Sequence, residues 1–260
     1  MIDNSVHGRA GVLLIVALLA AVLLTAAGCS PPPSPGEATA EDTYAVGVAA
    51  AERGDYMLAI EVFKRISLDK PLHETADDAL LRLADAHRAI SDYPSAEEDY
   101  RRLLSDYPHS SLVPEAEYEL GMTFFDQAMS VSIARDQSMT KQAISQLEYF
   151  VAAYPASGFA DEAADRILEL RSRIAEKGYD SATLYSDLGK PKAARVCLEA
   201  VIVEYPDTVW ARAALLDKAR SFAAEGSRAL AENEYQRLLE LYPGTEEART
   251  GAAEMAALSG

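Results

Sequence analysis

The stretch that decides the fold runs from Tyr205 to Pro243 and reads YPDTVWARAALLDKARSFAAEGSRALAENEYQRLLELYP. Its Pro-Asp-Thr turn supplies a Thr208 hydroxyl that can cap a helix beginning at about Val209. Apolar and small residues then recur at helical spacing as far as Gly226, where the helix should break. A second periodic run follows, and the closing proline stops it. The stretch therefore predicts two helices joined by a tight turn.

Variants of this hairpin occur five times along the chain in a constant register. Each turn residue is followed 17 residues later by a helix-stopping proline, in the pairs 54 and 71, 91 and 108, 138 and 155, 189 and 206, and 226 and 243. Five residues after each turn stands an alanine: Ala59, Ala96, Ala143, Ala194 and Ala231. Twelve residues after it stands a larger side chain: Ile66, Leu103, Phe150, Val201 and Leu238. Small residues in phase with large ones predict closely packed helix pairs.

This pattern resembles the tetratricopeptide repeat, whose hairpins stack because one helix pair cannot bury its apolar face alone. The resemblance implies an all-α tetratricopeptide-repeat solenoid of about ten helices in five hairpins, closed by a C-terminal cap helix from Thr245 to Ser259. Ten extra residues near Met129–Gln137 predict a loop in the third repeat. Fourteen extra residues in the fourth repeat predict a long helix from about Phe159 to Asp187.

The N-terminal segment has the pattern of a bacterial lipoprotein signal. Thirteen apolar residues from Val12 to Leu24 are short for a membrane span of about 20 residues and are typical of a signal peptide. Small residues then lead to Gly28-Cys29, which resembles a lipobox. The resemblance implies cleavage after residue 28 and a covalent lipid on Cys29, with no further cofactor. The alternative is an uncleaved membrane anchor.

Four segments are expected along the chain. They are the signal peptide at 1–28, the lipidated cysteine and proline-rich tether at 29–40, the N-terminal repeats and insert at 41–137, and the C-terminal repeats with the long helix at 138–260. The tether contains Pro31-Pro32-Pro33-Ser34-Pro35-Gly36. Prolines at this density favour extended polyproline, so the tether should be a semi-rigid spacer.

Composition and motifs argue against several classes of function. The net charge is −17 and the basic residues do not cluster, so a nucleic-acid partner is not expected. No nucleophile, zinc-protease or phosphate-loop motif is present, so an enzyme is not expected either. His73-Glu74 and the nearby Asp77-Asp78 stand at a predicted helix N-terminus, where acidic residues favour the helix dipole, and no metal site is expected there. Cys197 is interpreted as a small buried hydrophobe.

Several motifs together carry a closer resemblance. They are Tyr44-Ala45 with Gly54-Asp55-Tyr56, Arg135-Asp136 in the insert, the run from Ala160 to Arg173, and Tyr205-Pro206-Asp207-Thr208. With the lipobox, the tether and the five repeats, they resemble the BamD family, the tetratricopeptide-repeat lipoprotein subunits of the outer-membrane β-barrel assembly machine.

That resemblance implies a lipid-anchored protein on the periplasmic face of the outer membrane. It also implies that the chain docks on the barrel-forming subunit, works with other accessory lipoproteins and receives unfolded outer-membrane protein precursors. The alternative is a lipoprotein scaffold of another envelope machine, such as pilus assembly or cell-division coordination.

The repeat register also predicts where a client would bind. With Ala84 and Gly121 at the tight crossing of each helix pair, the positions three residues earlier are Leu81 and Tyr118, and one repeat further back is Tyr44. These three side chains are expected to form an exposed apolar ladder on the inner wall. The flanking residues are expected to be Val48, Met122 and Phe125 beside the ladder and Arg82 and Arg88 on its rim.

An apolar trough with nearby guanidinium groups suits an extended segment that ends in an aromatic side chain and a carboxylate. The alternative is that these side chains only pack one repeat against the next.

Overall fold

The computed structural model describes residues 39–69, 71–132 and 137–258, and the regular secondary structure within these ranges is entirely helical. The eleven helices of the described residues are α1 Ala40–Glu52, α2 Tyr56–Asp69, α3 Ala76–Ala89, α4 Tyr93–Asp106, α5 Val113–Ser130, α6 Ser138–Ala153, α7 Ala160–Asp187, α8 Pro191–Glu204, α9 Val209–Ala224, α10 Arg228–Leu241 and α11 Glu246–Ala257. Successive helices pair into five hairpins, and α11 packs on the last. The predicted tetratricopeptide-repeat solenoid with its cap is confirmed.

Several predictions fall on residues that the structure does not describe. The signal peptide at 1–28, Cys29, the tether as far as residue 38 and Arg135-Asp136 of the insert lie outside the described residues. Among the helices listed above, none is both long and apolar enough to cross a membrane. The division of the folded part after residue 137 stays a prediction.

The repeat register is confirmed by burial. Every alanine of the recurring series is at most 1% exposed, and the larger residues seven positions later are at most 2% exposed. A Cβ built on Gly121 would lie 2.5 Å from Leu147, and one built on Gly47 would lie 2.6 Å from Phe63. These glycines therefore stand where α5 crosses α6 and α1 crosses α2, as the register predicts for Gly121.

The turns follow the prediction with two corrections. Gly54, Ser91, Gly189 and Gly226 all have positive φ, between 62° and 78°, which favours glycine. Ser138 is wrong as a turn residue, because it is the first residue of α6. The second correction concerns the Thr208 hydroxyl, which accepts no capping bond from α9. It donates instead to the Tyr205 carbonyl at 2.8 Å.

The two irregular repeats largely match their predictions. The long helix of the fourth repeat is α7, which has 28 residues and begins one residue after Phe159. In the third repeat, α5 extends to Ser130, so the first part of the predicted loop is helical. The predicted cap helix is α11, with the Thr245 hydroxyl accepting a bond from the Ala248 amide at 3.2 Å.

The odd-numbered helices lie side by side and form one wall of the solenoid, since each contacts the next odd-numbered helix as well as its own partner. The buried side chains form two clusters, one from Ala50 to Leu170 and one from Ala175 to Ala248. The change from one cluster to the other falls inside α7. This single helix therefore joins two hydrophobic cores.

Candidate peptide-binding groove

An open groove of about 550 Å³ lies between α1 and α3, over the start of α2. We call it the aromatic groove. Its lining residues are Tyr44, Val48, Ala51, Glu52, Tyr56, Phe63, Arg82, Asp85, Ala86 and Ala89. Phe63 is fully buried and forms the floor, whereas Tyr44 and Tyr56 are partly exposed. Helix α1 can sit close to α2 here because Gly47 faces the Phe63 ring.

Tyr44 is fixed in the wall of the groove by two contacts. Its ring centroid lies 5.6 Å from that of Phe63, and its hydroxyl donates a hydrogen bond to the Asp78 carboxylate. Burial, and then the bond to Asp78, raise the pKa of Tyr44 to about 12. The hydroxyl is therefore a neutral donor at physiological pH, and the partly exposed ring lines the groove.

The charged rim of the aromatic groove comes from α3. Arg82 lies 3.8 Å from Asp78 and 3.4 Å from Asp85, and its side chain is 47% exposed. Asp85 also accepts a hydrogen bond from the Tyr100 hydroxyl at 2.6 Å. Burial raises the pKa of Asp85. The loose distances and the exposure leave the Arg82 guanidinium able to accept an additional anionic partner.

The predicted exposed ladder is wrong for two of its three residues, Leu81 and Tyr118, and the flanking Phe125 is buried as well. Leu81 is fully buried, Tyr118 is 4% exposed and Phe125 is 7% exposed. The Tyr118 ring stacks on Phe159 at 4.7 Å between centroids, with 10° between the ring planes. Over the Phe125 ring lies the Arg166 guanidinium, 5.3 Å from the centroid. These side chains pack one repeat against the next, which is the alternative that the sequence left open.

The physical reason is helix geometry. Residues three apart lie on nearly the same face of a helix, so a position three before the tight crossing still points towards the packed interface. Of the remaining predicted residues, Tyr44, Val48 and Arg82 line the aromatic groove. Met122 is partly buried against the first core.

Arg88, the other predicted rim residue, lies outside the aromatic groove, where α3 meets α5. It stands one repeat after Ala51, and its guanidinium lies 2.9 Å from Glu119 and 3.7 Å from Asp126. Although Arg88 and Glu119 are ion-paired by distance, the contacting atoms do not have hydrogen-bond geometry. Burial raises the pKa of Glu119 to about 7 despite the nearby guanidinium. The inner wall is therefore filled by a charged pair at this point.

Sequence reasoning missed seven of the ten residues that line the aromatic groove. Tyr56 enters the sequence analysis only as part of a family motif. The other lining residues that the sequence analysis does not predict are Ala51, Glu52, Phe63, Asp85, Ala86 and Ala89. The sequence does carry a signal for Phe63, because this aromatic residue stands four positions after the recurring Ala59 and 37 residues, one repeat, before Tyr100. Nothing in the sequence indicated that α1 and α3 would leave a groove above this buried ring.

A second groove of about 550 Å³ lies at the equivalent place in the fourth repeat, between α7 and α9. We call it the polar groove. Its lining residues are Ala182, Thr183, Ser186, Gly189, Pro191, Leu198, Asp217, Arg220, Ser221, Ala224 and Glu225. Counted from the turn glycines Gly54 and Gly189, the matching pairs are Val48 and Thr183, Ala51 and Ser186, Tyr56 and Pro191, and Phe63 and Leu198.

The charges of the polar groove are already matched within the chain. Arg220 forms three bonds of 2.7–3.1 Å to Glu254 and one of 3.1 Å to Asp217. Near the other end, Arg195 lies 2.9 Å from Glu225. The guanidinium groups here are therefore more fully engaged than Arg82 in the aromatic groove.

Two further sequence interpretations can be placed in the structure. Cys197 is a free cysteine that is only partly buried, and it lines a depression between α6, α7 and α8. The interpretation of a buried hydrophobe is thus partly wrong. His73 lies 3.0 Å from Glu41, and Asp77 accepts a bond from Ser110 at 2.6 Å. In the described part of the chain, no group of three or more such side chains is arranged to hold a metal ion.

Comparison with known proteins identifies the family. The model of the YfiO family, described as an outer membrane lipoprotein, matches residues 36–253. One relative is outer membrane protein assembly factor BamD of Caulobacter vibrioides, 28% identical over 204 residues that cover 78% of this chain and 66% of the relative. Another is outer membrane protein assembly factor BamD of Pasteurella multocida, 24% identical over 176 residues that cover 65% of this chain and 68% of the relative. The match thus spans about two thirds of the length of these relatives.

Among solved structures, a thermophilic tetratricopeptide-repeat protein of Thermus thermophilus is 19% identical, with 84% of this chain and 100% of that chain covered and a TM-score of 0.38. The family match covers all of the described helices except the end of α11. The chain therefore belongs to the YfiO family of outer membrane lipoproteins.

Proposed function

We propose that this chain is a scaffold for the assembly of outer-membrane proteins, anchored by a lipid on Cys29 and exposed to the periplasm. The family match and the assembly-factor names of the two relatives support this role. We further propose that the aromatic groove receives extended segments of unfolded barrel precursors. The observation that carries this second step is a groove with partly exposed tyrosines and an incompletely matched guanidinium.

The lining of the aromatic groove fits a particular kind of segment. Tyr44 and Tyr56 offer ring faces to an aromatic side chain, and Val48 and Ala51 offer an apolar wall. Arg82 lies at the rim and can bind a terminal carboxylate. A segment that ends in an aromatic residue and a free carboxylate would use all three features.

The proposal assigns the chain binding partners and no catalysis. The expected partners are the barrel-forming subunit of the assembly machine, other accessory lipoproteins and the unfolded precursors. The support for a binding role is the family match and the assembly-factor names of the two relatives. The docking of partner subunits is a separate proposal from the binding of clients.

Peptide binding tests the role of the groove. A fluorescent peptide that ends in an aromatic residue and a carboxylate should bind the full chain, and Tyr44→Ala with Tyr56→Ala should weaken the affinity at least tenfold. That loss corresponds to about 1.4 kcal/mol or more, which is reasonable for two lost aromatic contacts. Fluorescence anisotropy gives the affinity.

The matched control is Thr183→Ala with Ser186→Ala in the polar groove, which should leave the affinity unchanged. Circular dichroism at the assay temperature must show that both double variants are folded. Equal affinities for the wild type and the tyrosine variant would exclude the aromatic groove as the client site.

The assembly role itself has an independent test. Affinity purification of the lipidated chain from its native membranes should recover a barrel-forming outer-membrane subunit. Recovery of pilus or cell-division proteins instead would support the alternative that the chain serves another envelope machine.

A further inference from the structure

The two ends of the aromatic groove carry opposite charges. Arg82 stands at the Tyr44 end, where its guanidinium lies 3.8 Å from Asp78, the residue that accepts the bond from the Tyr44 hydroxyl. Glu52 lines the other end, eight residues after Tyr44 and therefore about 12 Å further along α1. The groove thus has a cation at one end and a carboxylate at the other, with tyrosine rings and small side chains between them.

The Glu52 carboxylate is available to a ligand. Its side chain is exposed, and among the described residues it has no hydrogen-bond or ion-pair partner. The neighbouring Arg53 is not part of the groove lining. Asp85, the other acidic residue of the lining, accepts a bond from Tyr100 at 2.6 Å and lies 3.4 Å from Arg82. Glu52 is therefore the acidic residue of the lining that can pair with a cationic ligand without giving up an existing partner.

The distance between the charged ends matches the spacing of an extended peptide. Such a peptide rises about 3.3 Å per residue, and its side chains alternate between two faces. A terminal residue and the residue four positions before it therefore face the same way, about 13 Å apart. With a terminal aromatic side chain against Tyr44 and its carboxylate at Arg82, the residue four positions before it faces Glu52. The residue between them, two positions before the end, faces Val48 and Ala51.

We propose that the aromatic groove selects client segments that carry a lysine or arginine four positions before a C-terminal aromatic residue, and that Glu52 pairs with this basic side chain. The inference rests on the client binding proposed above and adds the direction and the register of the client. A segment bound in the opposite direction would place its carboxylate beside Glu52 and its basic residue beside Arg82. Both contacts would then be repulsive, so the two ends of the groove favour a single orientation.

Three fluorescent nonapeptides test the selection on the full chain. Each ends in phenylalanine with a free carboxylate and carries lysine, alanine or glutamate four positions before it. Fluorescence anisotropy at low salt should give affinities in the order lysine, alanine, glutamate, with about fivefold between the extremes and less at higher salt, because exposed ion pairs are weak and screened. A fourth peptide, with the lysine three positions before the phenylalanine, should lose most of the gain because that side chain points away from the groove. An equal gain from this peptide would overturn the register.

Charge reversal in the protein identifies the selecting residue. Glu52→Lys should reverse the order of the lysine and glutamate peptides. The matched control is Asp187→Lys, which stands two residues before Gly189 as Glu52 stands two before Gly54, and it should leave the order unchanged. Both positions end a helix, where a positive charge favours the helix dipole, so both variants should fold, as circular dichroism can verify. A preference for lysine that persists in Glu52→Lys would overturn the role of Glu52.

The same measurements separate this inference from the client role itself. Equal affinities for the first three peptides, each weakened by the tyrosine double variant described above, would overturn the charge selection and leave the client role in place. If none of the peptides binds, the client role and the selection are both excluded.

Discussion

The aromatic groove and the polar groove stand at equivalent positions in the first and fourth repeats and have equal volumes, about 550 Å³ each. Their backbones are built from the same parts, namely two adjacent odd-numbered helices and the start of the helix between them. Their side chains differ at nearly every matched position. Phe63 and Tyr56 line one, whereas Leu198 and Pro191 line the other.

This difference shows that the repeat supplies a shape and the side chains decide what the shape can bind. In the polar groove the Arg220 guanidinium makes a bidentate pair with the Glu254 carboxylate, so few of its N–H groups remain for a ligand. In the aromatic groove Arg82 makes longer contacts, of 3.4 and 3.8 Å, although the two arginine side chains are almost equally exposed, at 47% and 46%. Aromatic surface together with a more loosely paired guanidinium distinguishes the first groove as the candidate site.

The largest effect should come from the floors of the two grooves. Phe63→Ala removes a fully buried ring and should lower the free energy of unfolding by about 3–5 kcal/mol, and Leu198→Ala by about 2–5 kcal/mol. Trp210 is the single tryptophan of the chain and packs on Tyr179 in the second core, at 5.3 Å between ring centroids. Its fluorescence therefore follows the second core, and circular dichroism follows both.

Urea denaturation with both probes then tests whether the cores are separate. We expect Phe63→Ala to shift the circular dichroism midpoint more than the Trp210 midpoint, and Leu198→Ala to shift both. If Phe63→Ala shifts the two midpoints equally, α7 couples the cores into one cooperative unit, and the two grooves cannot be treated as independent.

The sequence predictions that the structure confirms rest on the spacing of the repeats and on the sizes of side chains that face each other. The alanine series from Ala59 to Ala231 predicted the register because a small residue facing a large one fixes how closely two helices approach. The length of α7 could be predicted because the 14 extra residues of the fourth repeat make about four helical turns and so keep the helix in register. Both features depend on residues a few positions apart, and such short-range spacing can be read from a sequence.

The predictions that failed depended on how helices rotate and separate. Whether Leu81 or Tyr118 is buried depends on the direction in which the side chain points relative to the next repeat. A shift of one residue along the helix turns this direction by about 100° and can change a buried position into an exposed one. The Thr208 hydroxyl had two acceptable partners and took the carbonyl of Tyr205. The opening above Phe63 follows from the separation of α1 and α3, which no short motif records.

A smaller effect, of about 1–3 kcal/mol, should follow from Glu119 in the wall between the grooves. Burial raises the pKa of Glu119 from 4.5 to about 7. Its protonated form is therefore favoured by folding, and this contribution is full below pH 4.5 and lost as the pH rises to 7. Glu119→Gln should flatten the corresponding fall in unfolding free energy, measured by urea denaturation between pH 4 and pH 8.

Glu254 beside the polar groove gives a control of opposite sign. The hydrogen bond from Arg220 lowers the pKa of Glu254, so this carboxylate stabilises the fold above pH 4.5 and the stabilisation is lost as the pH falls further. Glu254→Gln should lower stability at neutral pH and leave the slope between pH 4.5 and pH 7 unchanged. Identical slopes for the wild type and Glu119→Gln would show that Glu119 titrates normally.

The smallest effect concerns the two tyrosine hydroxyls that mark equivalent positions. Tyr44 donates to Asp78 beside the aromatic groove, and Tyr179 donates to Asp217 beside the polar groove. Tyr44→Phe and Tyr179→Phe should each cost about 0.5–1.5 kcal/mol, because each acceptor keeps an arginine partner, Arg82 or Arg220. The two sites belong to different cores, so the double variant should equal the sum within about 0.5 kcal/mol. A larger departure from additivity, measured by urea denaturation of the singles and the double, would show that the two ends of the solenoid share one energetic unit despite their separate cores.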